Sequence, residues 1–171
     1  MKQCLILSAL VIPMVMLSAC RQAAPVPTPG PKLGSEIGDL APDFELPNLE
    51  GETVSLSSLG RPIILVFWHI SCAICHEVLP ELQELYQELG GEWSILTVSI
   101  DAGVITTGDY VERNNLSLPV VYDRSLVAVD KYGIWATPTI FFIDKDGIIQ
   151  DKIVGPVSRQ QLEESLAKIL P

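Results

Sequence analysis

The run Pro62-Ile63-Ile64-Leu65-Val66-Phe67-Trp68 constrains this chain more than any other stretch: seven apolar residues, β-branched and aromatic, opened by a proline. Such a run suits a strand buried on both faces, with Pro62 at its first position, and does not suit a helix interior. After His69-Ile70-Ser71 and Cys72-Ala73-Ile74-Cys75-His76 the period changes. Val78, Leu79, Leu82, Leu85, Tyr86 and Leu89 recur three and four residues apart, with Glu77, Glu81, Glu84, Gln87 and Glu88 between them. That pattern is one apolar helix stripe beneath a charged face, so the cysteines stand at a strand-to-helix junction. The free N–H groups and positive dipole end of a first helical turn favour thiolate, the reactive form of cysteine. Two cysteines three apart on such a turn can close a small disulfide. Cys72 is then the one facing solvent, and Cys75 is shielded within the turn.

The chain opens with Lys2, an almost wholly apolar run from Leu5 to Leu17, and Leu17-Ser18-Ala19 before Cys20. These are the parts of a secretory signal, which sets residues 1–19 outside the fold. Thirteen residues are too few to span a bilayer comfortably, and Pro13 argues against an uncleaved anchor helix. Leu17-Ser18-Ala19-Cys20 resembles the lipobox of bacterial lipoproteins, which implies cleavage before Cys20, acylation of that cysteine and a lipid-anchored protein on the extracytoplasmic face. Of four cysteines, Cys4 then leaves with the signal and Cys20 carries lipid, so Cys72 and Cys75 remain. In a disulfide-permissive compartment one closely spaced pair points to chemistry rather than to a structural framework.

Residues 20–35 read as the lipidated cysteine and a tether, with Pro25, Pro27, Pro29 and Pro31 favouring extended polyproline geometry at about 3 Å per residue. Residues 36–171 are long enough for one domain with its own core. Without residues 1–19 the chain holds ten basic against twenty-one acidic side chains, a formal charge of −11. That balance excludes nucleic acid as a partner and leaves membrane attachment to the lipid.

Within the domain, strands are predicted over 41–46 and 53–56 around the turn-rich Asn48-Leu49-Glu50-Gly51, then a single helical turn over 57–60. Pro80 is expected to kink the helix after the cysteines, and Gly90-Gly91 to end it. A strand over 93–100, a helix over 106–115 capped by Thr106 or Thr107, a strand over 119–122 and a helix over 125–132 closed by Gly133 follow. Then come Trp135-Ala136-Thr137-Pro138, strands over 139–143 and 148–154 about an Asp-Gly turn, and a helix over 159–170 with a Ser158/Gln161 capping box. The order implies an α/β fold with a mixed sheet covered on both faces.

Phe67-Trp68 before Cys72-Ala73-Ile74-Cys75, Pro80 in the next helix, and Ala136-Thr137-Pro138-Thr139 before a strand and an Asp-Gly hairpin together resemble the thioredoxin fold. Gly38-Asp39-Leu40-Ala41-Pro42-Asp43-Phe44 and the segment to Leu59 resemble the N-terminal extension of the membrane-tethered TlpA/ResA-type thioredoxins, which share a broad superfamily with the AhpC/TSA peroxiredoxins. The resemblance covers residues 36–171 and implies a thiol-disulfide oxidoreductase without cofactor or metal. In it Cys72 attacks a partner disulfide and Cys75 resolves the mixed disulfide, or the steps run in reverse. It also implies a cis bond before Pro138, with Thr137 offering backbone to the substrate. The implied partners are disulfides of exported proteins, including apocytochromes c, and a membrane electron donor, with the chain acting as a monomer. Ser71, Ile74 and Val66 stand where thioredoxins carry Trp, often Pro, and a buried acid, so potential and proton route are not carried over.

Other chemistries fit some of the same residues. Cys72-Ala73-Ile74-Cys75-His76 matches the c-type haem attachment pattern, although Met1, Met14 and Met16 leave with the signal and His69, the only other histidine, is close in sequence. His69, Cys72, Cys75 and His76 are four candidate zinc ligands, but they form one cluster where separate pairs are usual. The spacing and downstream His of copper-delivery proteins of this fold are absent. A peroxidase of the AhpC/TSA type needs Pro-x-x-x-Thr-x-x-Cys, whereas residues 65–72 carry Leu65 and His69 at the Pro and Thr positions. A non-enzymatic binding lipoprotein leaves the cysteine pair without a task.

Overall fold

A computed structural model describes residues 30–60, 62–89, 91–101 and 103–170. The signal, Cys20 and the tether up to Pro29 lie outside the described residues. Eleven elements follow in order: β1 (Glu45–Pro47), β2 (Thr53–Ser55), β3 (Ile63–Trp68), α1 (Ala73–Leu89), β4 (Ser94–Ser99), α2 (Val104–Arg113), β5 (Val120–Tyr122), α3 (Val127–Tyr132), β6 (Thr139–Ile143), β7 (Ile149–Val154) and α4 (Arg159–Leu166). A short 3₁₀ turn over Leu56–Leu59 leads into β3.

The main sheet has the order β5-β4-β3-β6-β7. β3, β4 and β5 run parallel, β6 is antiparallel to β3, and β7 is antiparallel to β6. β1 and β2 form a separate antiparallel pair. The apolar run is central for a physical reason: each of its residues is buried, because both faces of the sheet are covered. Ile64, Val66 and Trp68 face a core built with Leu79, Leu82 and Leu85 of α1 and Leu162 and Leu166 of α4. Ile63, Leu65 and Phe67 face the other core, with Phe44, Leu46, Ala128 and Tyr132. Alternation in β6 matches, with Ile140 and Phe142 on the first side and Phe141 and Ile143 on the second.

Several boundaries differ from the sequence reading. β1 starts at Glu45 rather than residue 41, because the Asp43 carboxylate takes the Ser57 and Phe44 N–H groups and the Ser57 hydroxyl. Such side-chain bonds compete with a strand ladder. α2 begins at Val104 with Gly103 as its N-cap, so Thr106 and Thr107 do not cap it. Their hydroxyls instead donate back to the Gly103 carbonyl. α3 is anchored by buried Asp123, whose carboxylate accepts the N–H groups of Val127, Ala128 and Val129. Pro80 lies inside an unbroken α1. α4 has the expected Ser158/Gln161 capping box and ends at Leu166, ahead of residue 170.

Strand direction fixes two poles. The carboxyl ends of β3 and β4 and the start of α1 meet at one. The β6–β7 turn lies at the other, where Gly147 has a φ of 82° and the Asp144 side chain accepts from Asp146 and Ile148 N–H. The chain enters at this second pole, since Leu40 bridges to Ile148 and Ala41 N–H donates to Gly147 O. No helix among the described residues is long and apolar enough to cross a membrane.

Candidate active site

Cys72 and Cys75 form a disulfide, with their Cα atoms 5.2 Å apart. Cys72 directly precedes α1, and its carbonyl accepts the His76 N–H at 3.3 Å. Its Sγ lies 3.1 Å from the Cys75 N–H, where a helix-capping side-chain acceptor stands. The sulfur therefore faces the Cys75 amide and the positive end of a 17-residue helix, an environment that favours thiolate once the disulfide opens. Cys72 is 8% exposed and Cys75 fully buried. Cys72 is thus the more open of the two, but far less solvent-facing than a first-turn position implies by itself. Its neighbour explains the cover: the Thr137 carbonyl oxygen is 3.4 Å from Cys72 Sγ, across 65 positions of sequence.

Thr137–Pro138 is a cis peptide bond, as the resemblance implied. Pro138 is buried, Thr137 is half-buried, and the Pro138 carbonyl accepts the Gly155 N–H at 2.8 Å from the end of β7. The structure so brings Cys72, Cys75, Thr137 and Pro138 to one pole. Beside them Trp135 is 81% exposed, the largest departure from burial among the described aromatic side chains. An open indole two positions before Thr137 is apolar surface that a docking polypeptide can cover.

The histidines are tied to backbone. His69 Nδ1 accepts the Ser71 N–H at 3.1 Å, which requires that nitrogen to be unprotonated. His76 Nε2 stands 2.7 Å from the Ile70 carbonyl oxygen. Among the described residues no three His, Cys, Asp or Glu side chains gather as a metal-ligand group. Two polar contacts of this pole escaped the sequence reading: the bond to Ile70 O from His76, and the acceptance of Ile70 N–H by Asp101 Oδ2 at 2.9 Å.

This arrangement can carry thiol-disulfide exchange. A Cys72 thiolate attacking a disulfide forms a mixed disulfide and expels one partner thiolate; a Cys75 thiolate then attacks Cys72 Sγ and expels the other. The chain gives up two electrons and, with its second thiol deprotonated, two protons, and the partner leaves as a dithiol.

The AhpC/TSA family model matches residues 37–152. The thiol-disulfide oxidoreductase ResA of Bacillus cereus is 36% identical over 140 residues, covering 80% of each chain. ResA of Geobacillus thermodenitrificans is 33% identical over 144 residues, 82% of each. Among solved structures, StoA from Bacillus subtilis matches with a TM-score of 0.64 at 28% identity, over 72% of this chain and 96% of that one. The exposed lipoprotein thioredoxin Etrx1 from Streptococcus pneumoniae matches with a TM-score of 0.67 at 29% identity, over 74% and 99%. With a buried cysteine pair at a helix start and relatives that share both sequence and fold, this chain belongs to the AhpC/TSA family, among its thioredoxin-fold thiol-disulfide oxidoreductases.

Proposed function

We propose that the chain works outside the cytoplasm, anchored by lipid on Cys20, and reduces disulfides of exported proteins through Cys72, with Cys75 as the resolving thiol. The observation that carries this reading is the placement of Cys72 Sγ, against the Cys75 N–H on one side and the Thr137 carbonyl on the other. A partner cysteine that reaches Cys72 there meets the half-buried Thr137 and the exposed Trp135 at the same time. Apocytochromes c awaiting haem are the substrate class we favour, and a membrane dithiol donor recharges the pair.

Polarity supports the anchor. Residues 30–41 lie at the pole opposite the disulfide, so a tether leaving there turns the cysteine pair away from the bilayer. Lys32 to Ser35, read in the sequence as part of the tether, are bonded to the domain, so the stretch left to span is Cys20 to Pro29, roughly 30 Å if extended as polyproline at about 3 Å per residue. Intact-mass analysis of membrane-extracted protein is expected to give a chain that begins at Cys20 and carries acyl mass. A chain that begins at Met1, or one without acyl mass, refutes the anchor.

Direction of electron flow is read from the reduction potential of the Cys72–Cys75 couple. A reductant is expected nearer to about −270 mV, the thioredoxin value, than to about −120 mV, where strong disulfide donors sit. A value at the oxidising end turns the assignment to disulfide donation.

A further inference from the structure

We propose that Asp101 and His76 are positioning residues that grip Ile70 at its N–H and at its carbonyl and so set the approach of Cys72. The proposal rests on the reading of Cys72 as the attacking thiol. Asp101 Oδ2 accepts the Ile70 N–H at 2.9 Å, and His76 Nε2 meets the Ile70 carbonyl at 2.7 Å. A carbonyl only accepts, so His76 holds its proton on Nε2. One residue, two positions before Cys72, is thereby bonded through its N–H to the loop after β4 and through its carbonyl to the first turn of α1.

Each grip is backed by further contacts, the Asp101 bond in a partly buried network and the exposed His76 ring by a neighbouring ring. Asp101 Oδ2 also accepts the Ser99 hydroxyl at 3.1 Å, and Ser99 Oγ lies 3.1 Å from Oγ1 of buried Thr107 in α2. The Asp101 N–H closes this network on Ser99 Oγ at 3.3 Å. The His76 ring lies 5.1 Å from the Tyr110 ring at 33°, and Tyr110 lies 5.4 Å from Trp68, the last residue of β3. Thr107 and Tyr110 both belong to α2, a helix that supplies no atom to the disulfide. Two separate side-chain routes thus run from α2 to the same residue.

The chemical consequence concerns the loop 69–71. Its remaining polar bonds are local, from Ser71 N–H to His69 Nδ1 and from Cys72 N–H to His69 O, and these do not fix the loop against the domain. With Ile70 held, the reduced Cys72 thiol stays over the Cys75 amide and within reach of Cys75. Forming the Cys72–Cys75 bond then costs less ordering, and two electrons and two protons pass to the partner disulfide. Release of the grip lowers the effective concentration of one thiol at the other, which favours the dithiol and slows exchange.

The test uses the purified chain with oxidised glutathione, a probe too small to need the Trp135 surface. Wild type is compared with His76→Ala, His76→Gln and Asp101→Ala in the exchange rate of the reduced protein and in its equilibrium with the glutathione couple. Both alanine variants are expected to exchange about tenfold more slowly. Their equilibrium is expected to shift about tenfold toward dithiol, about 30 mV for a two-electron couple. Gln carries an N–H that reaches a carbonyl, and is expected to recover most of the loss. Amide exchange at Ile70 is expected to quicken in both alanine variants. An active wild type matched in rate and equilibrium by His76→Ala overturns the grip alone, and His76 is exposed enough for that variant to fold even if Asp101→Ala does not. A wild type that exchanges no thiols with glutathione removes the oxidoreductase reading, and this proposal with it.

Discussion

Cys75→Ser is expected to accumulate partner proteins as adducts that a reductant releases, whereas Cys72→Ser is expected to trap few or none. The asymmetry follows from position. Cys72 sits at the edge of the Thr137 and Pro138 loop with its sulfur at the helix cap, and Cys75 is fully buried behind it. A partner is therefore expected to meet Cys72 first, and without the second thiol the mixed disulfide is expected to have no internal route to resolve. Turnover is expected to fall about a thousandfold or more in either variant, because nucleophile and resolving group act as one unit. Haem attachment predicts that either substitution damages a coloured protein, and a zinc site predicts metal loss from both. Equal trapping by the two variants, or trapping by neither with haem or stoichiometric zinc bound, refutes the assignment of roles. Adduct capture followed by gel shift under non-reducing conditions is the measurement.

The parts of this site that sequence made legible are those governed by local periodicity. An unbroken apolar run can be buried on both faces only at the centre of a sheet, and the change of period after Cys75 marks α1, so the junction that holds the pair followed from pattern. The cover over Cys72 did not. It comes from Thr137, which reaches the sulfur only after β6 pairs antiparallel with β3, and nothing near Cys72 signals it. The Ile70 contacts are hidden for the same reason: Asp101 is 31 positions away, and the His76 bond depends on how the loop closes over the first turn of α1. A histidine beside a CxxC pair and an aspartate after a strand each have a solvated reading in sequence alone. The start of α2 was misplaced because Thr106 and Thr107 are good caps by type, while their hydroxyls in the fold turn to Gly103 O.

Long-range closure is also what ties the N-terminal extension to the site. The Pro42–Pro47 segment lies on the face of the sheet away from α1, where Phe44 and Leu46 join Phe67, Phe141 and Tyr132. Lys131 Nζ donates to Asp43 O at 2.6 Å, beside the Tyr132 contact to the residue before it. α3 therefore holds the extension on one side and on the other runs through Gly133, at a φ of 60°, into the segment that ends in Trp135, Thr137 and Pro138. The extension and the loop over Cys72 share one support.

That support is tested by Tyr132. The side chain is fully buried, and its ring centroid lies 5.0 Å from Phe141, 5.3 Å from Phe67 and 6.1 Å from Phe44. Its hydroxyl donates to Pro42 O at 2.9 Å. Burial, and after it the charge of Asp43, pushes the phenol far above its ordinary value, so it stays a donor at every pH where the fold exists. Tyr132→Phe keeps the ring contacts and strands one buried carbonyl, a cost of about 1–2 kcal/mol. Tyr132→Ala removes the ring from three aromatic neighbours and is expected to cost about 3–5 kcal/mol. That is a large part of the roughly 5–15 kcal/mol by which a domain is stable. Urea unfolding of the oxidised protein reads both values. The alanine variant is also expected to lose exchange activity before it unfolds, because Gly133 to Pro138 loses its footing, whereas the phenylalanine variant keeps wild-type exchange. A cost below about 1 kcal/mol for alanine contradicts the aromatic cluster as the anchor of this face. Equal costs for the two variants assign the anchor to the Pro42 hydrogen bond instead of to packing.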